Sequence, residues 1–422
     1  MLLSERRWHR MGRKNNLAAA QKSKKDEFYT MWSDIEREIN AYLDFDPNVF
    51  KNKVILLPCD DPFESDFFKY FATKFKDLGI KKLIAVSYAG SPFCNTELQL
   101  SLFDSLEESK KKAYKIVISD AIDYNNDGIY NFDDIRDLLK DERIKLANNE
   151  NSKCLTIING NDNYLAGDFR SKEVTKLRDE ADIIVTNPPF SLFREFIKWI
   201  EIDKRKCIIF ANNNAISYKE VFPLIKENKI WLGATITNKS LHFRIPYNYD
   251  KWDEKFTDQM NDGNKYAKVS GISVFTNIDH GKRHAIINYM TEADNLRFSK
   301  HKEIRELGYR KYDNYDAIEV PFSDAIPSDY NGIIGVPISF LANYNPNQFR
   351  IVGLTQSWTK QAKKIYPKQL QISEDGSEKE VTKLNDGPAI KVDKKPNKGT
   401  YYTVNGNIYI KKYSRILIKK ID

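Results

Sequence analysis

The sequence predicts an α/β fold, a doubly wound and mostly parallel sheet, followed by a less regular C-terminal region. Three observations lead there. Short apolar runs of strand length recur up to about residue 234, stretches with helical apolar spacing separate them, and polar turn residues mark the joins. In order, "NKVILLPCDDP" reads as a buried strand running into a polar turn. "ESDFFKYFATKFKDLGI" places Phe67, Phe68, Phe71, Phe75 and Leu78 on one helical face, with Gly79 as C-cap. "KKLIAVSY" is a second strand. "ADIIVTNPPF" is a third, and its helix buries Leu192, Phe193, Phe196, Ile197 and Ile200. "KCIIFANNN", "YKEVFPLIKENK" and "KIWLGATI" continue the series as strand, helix and strand.

Two stretches interrupt the rhythm. Residues 89–165 read as an insertion richer in polar and acidic residues, and the Lys-rich residues 360–400 read as a flexible or hairpin-like excursion. The expected division is a catalytic domain over 1–234, containing the insertion, and a second region over 235–422. No internal repeat of fixed period is visible.

With 422 residues, 41% hydrophobic and 30% charged, the chain can bury a large core and stay soluble. No apolar run approaches the roughly 18 residues that cross a bilayer. The basic start "MLLSERRWHRMGRKNN" lacks the apolar centre of a secretory signal, and Met11 offers a second possible start. Cys59, Cys94, Cys154 and Cys207 are scattered without a CxxC pair, which points to a reducing cytoplasm and away from zinc or disulfides. Residues 360–422 hold 15 Lys/Arg against 7 Asp/Glu, and residues 1–30 hold 8 against 3. Since the whole chain is only +8, its middle is net acidic. Basic ends suit a polyanionic partner, and a solvated face accounts for the charge equally well.

The strand ending in Asn187-Pro188-Pro189-Phe190 carries the chemistry. In a doubly wound sheet, ligands bind beyond the carboxyl ends of the strands, where these residues and Asp60-Asp61 fall. The Asn187 side-chain oxygen and the Pro188 carbonyl, stiffened by two fixed φ angles, are two acceptors suited to an exocyclic amino group. Phe190 offers a flat face for a heteroaromatic ring. Adenine poses this problem: its N6 lone pair is delocalised, and two acceptors on the amino hydrogens favour a tetrahedral nitrogen aimed at an electrophilic methyl group. A base within a duplex reaches such a pocket only by flipping out. A proline-stiffened loop with a core phenylalanine is the plainer reading.

The order of elements resembles S-adenosylmethionine-dependent amino-methyltransferases of the (Asp/Asn)-Pro-Pro-(Tyr/Phe) class, and most closely the EcoRI-type adenine-specific DNA methyltransferases. "KSKKDEFYT", "CDDP", "FFKYFA", "GDFRS", "DIIVTNPPFSLFRE", "SYKEVFPLIKENKIWLG", "KYDNYDAIEV", "DYNGIIGVPISFL" and "SRILIK" carry the resemblance, in order across nearly the whole chain. It implies a seven-stranded methyltransferase sheet, a C-terminal DNA-recognition region, S-adenosylmethionine as cofactor and site-specific DNA adenine N6-methylation in restriction–modification. It makes Asn187, Pro188, Pro189 and Phe190 the catalytic loop. Phe28, Tyr29 and Thr30 would fold against the methionine end of the cofactor, and Asp60, Asp61 and Pro62 would face its amino acid or ribose. Asp168 and Phe169 lie where such enzymes contact the cofactor's adenine. The first strand lacks the glycine-rich turn usual in that superfamily, and Ser87-Tyr88 lacks the usual ribose-gripping acid. An amino-methyltransferase acting on RNA or protein glutamine, and an inactive DNA-binding protein of the same fold, are the alternatives.

Residues 235–422, with interleaved Tyr401, Tyr402, Tyr409 and Tyr413, are the expected source of contacts to double-stranded DNA. His242 and Arg244 are candidate base readers. One chain holding catalytic and recognition parts can work as a monomer. Within the insertion, "DYNNDGIYNFDD" has calcium-loop spacing, with Asp123, Asn125, Asp127 and Asp134 as ligands of a structural Ca2+. Gln99-Leu100-Ser101-Leu102-Phe103 resembles the pentapeptide that docks on the bacterial DNA sliding clamp, and an alternating strand explains it as well.

Overall fold

The computed structural model describes residues 29–91, 113–161, 163–245, 257–259 and 265–421. The apolar runs assemble into one large sheet. In chain order its strands are β1 (Tyr29–Thr30), β2 (Val54–Leu57), β3 (Lys82–Val86), β4 (Ala113–Ile118), β5 (Leu155–Ile158), β6 (Ile183–Thr186), β7 (Lys206–Asn212), β8 (Trp231–Leu232), β9 (Lys239–Ile245), β10 (Thr257–Gln259) and β11 (Lys265–Thr276). Their lateral order is β1-β9-β11-β7-β6-β2-β3-β4-β5, with β8 and β10 also on β11. The central strands β7, β6, β2 and β3 run parallel, and antiparallel strands extend the sheet on both sides.

At eleven strands the sheet is wider than the seven expected. The insertion supplies β4 and β5, and the segment after residue 234 supplies β9 to β11. The boundary expected at residue 234 therefore falls inside this sheet.

Strand alternation puts successive side chains on opposite faces. Val54 and Leu56 join one core, Ile55 and Leu57 the other. Helices α1 (Trp32–Leu43), α2 (Asp66–Thr73) and α3 (Phe132–Ala147) cover the second face. Helices α4 (Lys172–Glu180), α5 (Phe193–Trp199) and α6 (Phe222–Lys226) cover the first. Both faces are thus sealed, which is what a parallel centre needs. Among the described residues no helix is long and apolar enough to cross a membrane.

The C-terminal part adds β12 (Ile318–Glu319), β13 (Ile334–Pro337), β14 (Phe349–Leu354), β15 (Gln369–Ile372), β16 (Glu378–Val381), β17 (Ala389–Val392), β18 (Tyr401–Val404), β19 (Asn407–Lys411) and β20 (Arg415–Lys420). They form two further sheets, β12-β13-β20-β14 and β16-β15-β18-β19-β17. The Lys-rich stretch 360–400 is accordingly built of antiparallel strands, set between β14 and β20. The four-stranded sheet shares its core with α5 and α6 through Ile334, Phe340, Leu354 and Ile416.

One buried acid fastens α1 to the turn before β9. The Glu38 carboxylate accepts hydrogen bonds from the amides of Ala234 (2.8 Å), Thr235 (2.8 Å) and Ile236 (3.0 Å), and from the Tyr42 hydroxyl (2.7 Å). Glu38→Ala strands three amides, those of Ala234 and Ile236 on buried residues. We expect a loss of about 3 kcal/mol or more, read as a fall in the urea midpoint.

Candidate active site

β2 and β6 are parallel neighbours, so both end on the same edge of the sheet. Past β2 come Asp60 and Asp61, which are 2% and 3% exposed; past β6 comes Asn187, at 7%. The two ends are tied together. Thr186 Oγ1 donates to Asp60 Oδ2 at 2.7 Å, and Ser65 Oγ donates to Asp60 Oδ1 at 2.7 Å. Ser65 also caps α2 by accepting from the Phe67 amide. One carboxyl thus fixes the turn after β2, the start of α2 and the residue before Asn187.

Burial governs both acids. It pushes Asp60 up to about 6 against the opposing hydrogen bonds from Thr186 and Ser65. It pushes Asp61 up to about 7, where the Phe63 amide opposes it and the charge of Glu64 adds to it.

β1 lies over the same edge. Tyr29 and Thr30 pair with Arg244 and Phe243 of β9, and the Trp32 amide donates to Asp66 at 3.2 Å. Arg244 Nη2 donates to the Glu64 carbonyl and to its carboxylate, both at 2.7 Å. Arg244 is therefore a brace between β9 and the turn after Asp61. His242 lines a groove of about 590 Å3 with Met31, Asp34, Arg37 and Lys239. Thr30 Oγ1 is buried and has no hydrogen-bond partner among the described residues. Phe28 lies outside the described residues.

Asp168 and Phe169 do different things. Arg170 grips Asp168 through Nε (3.0 Å) and Nη2 (2.8 Å), and its Nη1 reaches Glu195 of α5 at 2.9 Å. Phe169 is buried edge-on against Phe196 and Trp199, so its ring belongs to the core. Gly167 lets this segment meet the end of β3. Its φ is +79°, and a Cβ there would stand 1.8 Å from the Ser87 carbonyl oxygen. Phe190 is 5% exposed, in the cluster that holds Phe63, Phe67 and Phe210.

Sequence reasoning missed Thr186, Ser65, Arg170, Glu195 and Gly167. Thr186, the single polar residue of an otherwise apolar strand, and the glycine before Asp168 were the available signals.

The calcium expectation is not supported. Asp123 accepts from the amides of Asp127 and Gly128, and Asp134 accepts from those of Tyr124, Asn125 and Asn131. Burial would raise the Asp134 carboxyl, but these amides outweigh it and hold it below its ordinary value. The acceptors thus serve the backbone itself: Asp123 closes the loop, and Asp134 with Asn131 forms the capping box of α3. Among the described residues no group of three or more His, Cys, Asp or Glu side chains could hold a metal. The clamp-like segment 99–103 lies outside the described residues.

A paired strand edge bearing an Asn-Pro-Pro-Phe turn beside buried acids invites comparison with known proteins. The family described as "Adenine-specific methyltransferase EcoRI" matches residues 16–421. The chain belongs to this family. It is 39% identical over 338 residues to the type II methyltransferase M.EcoRI of Escherichia coli, covering 80% of this chain and 88% of that protein. It is 33% identical over 334 residues to M.MpnI of Mycoplasma pneumoniae, covering 79% and 83%. M.MgeORF184P of Mycoplasma genitalium is likewise 33% identical, covering 79% and 84%. No solved structure matches. The chain is an adenine-specific DNA methyltransferase, and membership implies S-adenosylmethionine as methyl donor.

The raised pKa of Asp60 has a readable sign. Between about pH 4 and 6 the folded chain holds a proton there that the unfolded chain has lost, so its stability falls as pH rises through that window. Asp60→Asn removes the dependence. Relative to that variant, the native chain should lose about 3 kcal/mol across the window, measured by denaturation of both proteins at each pH.

Proposed function

We propose that the chain methylates the N6 amino group of a flipped-out adenine in double-stranded DNA at a specific sequence, as the modification half of a restriction–modification system. The observation supporting this reading most directly is the Thr186–Asp60 bond, which sets the Asn187–Phe190 turn beside the buried end of β2. We take seven contiguous strands, β9-β11-β7-β6-β2-β3-β4, as the methyltransferase sheet. The catalytic unit then reaches Thr276, and the rest of the chain forms the recognition region.

In this reading the donor site is the edge formed by Thr30, Asp60, Asp61 and Pro62, bordered by Asp168. A buried hydroxyl without a partner and two buried acids fit a ligand carrying an ammonium and ribose hydroxyls. When bound there, S-adenosylmethionine supplies an electrophilic methyl group. Asn187 Oδ1 and the Pro188 carbonyl hold the two amino hydrogens of adenine, which draws the nitrogen lone pair out of conjugation and aims it. Pro189 keeps the turn rigid. Phe190 is the stacking surface, and since its ring is covered, the turn opens when the base arrives. No strong base is required, because the nitrogen is neutral when it attacks and acidic afterwards. Orientation of this kind is worth several orders of magnitude in rate.

Labelled methyl transfer to unmethylated DNA, RNA and protein tests the reading. Label should appear on DNA alone, at adenine, and Asn187→Ala should cut it by at least about 100-fold while cofactor binding persists. Label on RNA or on glutamine would overturn it.

A further inference from the structure

Charge and ring exposure single out one surface remote in sequence from Asn187. In the five-stranded sheet, Lys391 of β17 pairs with Tyr409 of β19, and Ala389 with Lys411. Paired residues share a face, and this face carries the small core of Tyr366, Leu384, Tyr402 and Tyr409. Lysines border that core. Lys364 Nζ stands 5.0 and 5.6 Å from the ring centres of Tyr366 and Tyr409, and its charge is met by Asp313 at 2.5 Å.

The other lysines here are not so matched. Lys383 donates to the neutral Oε1 of Gln371 at 3.1 Å, Lys391 shares the charge of Asp313 with Lys364, and Lys411 faces Asp386 without a direct contact. Burial pushes the Lys411 ammonium below its ordinary value, opposed first by the charge of Asp386 and aided to a lesser degree by that of Lys383. Four lysines, Lys364, Lys383, Lys391 and Lys411, here surround two acids, Asp313 and Asp386, and a negatively charged partner would match the surplus.

The aromatics divide by exposure. Tyr402 and Tyr409 are buried, whereas Tyr413 is 88% exposed, more than any other large apolar side chain described. It lies two residues beyond Lys411, in the short link between β19 and β20. Its neighbour Lys412 is held by Glu303 at 3.3 Å. An open phenol ring close in sequence to lysines that outnumber their acids has the composition of a nucleic-acid contact, in which lysines take phosphates and a ring packs on sugar or base.

We propose that this face of the five-stranded sheet is a second contact surface for duplex DNA, with Lys383, Lys391 and Lys411 on phosphates and Tyr413 packed in a groove. The proposal rests on DNA being the methyl acceptor.

The test uses the full chain and a labelled duplex carrying its methylation site, with binding measured across a salt series. Lys383→Gln/Lys391→Gln should weaken binding about 10-fold and lower the salt-dependence slope by nearly two units, at about 0.9 per phosphate contact. Tyr413→Ala should also weaken binding about 10-fold but leave the slope unchanged, and Tyr413→Phe should bind as the native chain does. Native affinity and slope in both the double lysine variant and Tyr413→Ala would overturn the proposal. A native chain that binds the duplex but places no methyl group on it would defeat the enzymatic reading instead, and weakened binding by the variants would still support this face.

Discussion

The shared carboxyl of Asp60 is the interaction on which the site depends. Two strands distant in sequence bring their ends side by side because they are parallel neighbours. Adjacency alone would leave two independent loops. Asp60 joins them by accepting one hydrogen bond from Thr186 and one from Ser65, so the turn after β2, the cap of α2 and the approach to Asn187 move as a unit. That arrangement requires burying an acid, and the raised pKa reflects the desolvation it entails. Stability is given up for geometry at the point where geometry matters most.

Around that point the structure repeats the device of a polar side chain bracing backbone. Glu38 holds the turn before β9, Arg244 joins β9 to the segment after Asp61, and Arg170 joins Asp168 to α5. Each is charged, largely shielded from water and bound to more than one partner, so each specifies a single placement of the elements it touches.

Much of this was legible beforehand, for physical reasons. The strands and helices of the first half announce themselves by period, since burial on two faces leaves a plain apolar signature. Asn187 to Phe190 could be placed at a strand end from the run of Ile183, Ile184 and Val185 before them. What escaped were long-range polar pairings, because nothing local to Thr186 or Asp60 says they will meet across 126 residues. The sheet's width escaped for a related reason. Antiparallel strands outside the parallel centre, such as β4 and β9, are partly polar, and their membership is decided by pairing rather than by composition. Spacing misled at the calcium-like loop, since the Asn/Asp-rich pattern that surrounds a metal is also the pattern that satisfies a tight turn's own amides.

The five-stranded sheet enters and leaves the fold at almost one place. β14 and β20 pair directly, with Leu354 opposite Ile416, and the Thr355 amide donates to the Arg415 carbonyl at 3.0 Å just where the excursion begins and ends. A segment whose two ends are already stitched together can vary at its exposed turns, while Ile390 and the Asn314 bonds to Gly387 and Ala389 hold β17 against the sheet that carries it. The chain thus holds the five-stranded sheet by one stitched joint, separate from the catalytic edge in sequence and in pairing.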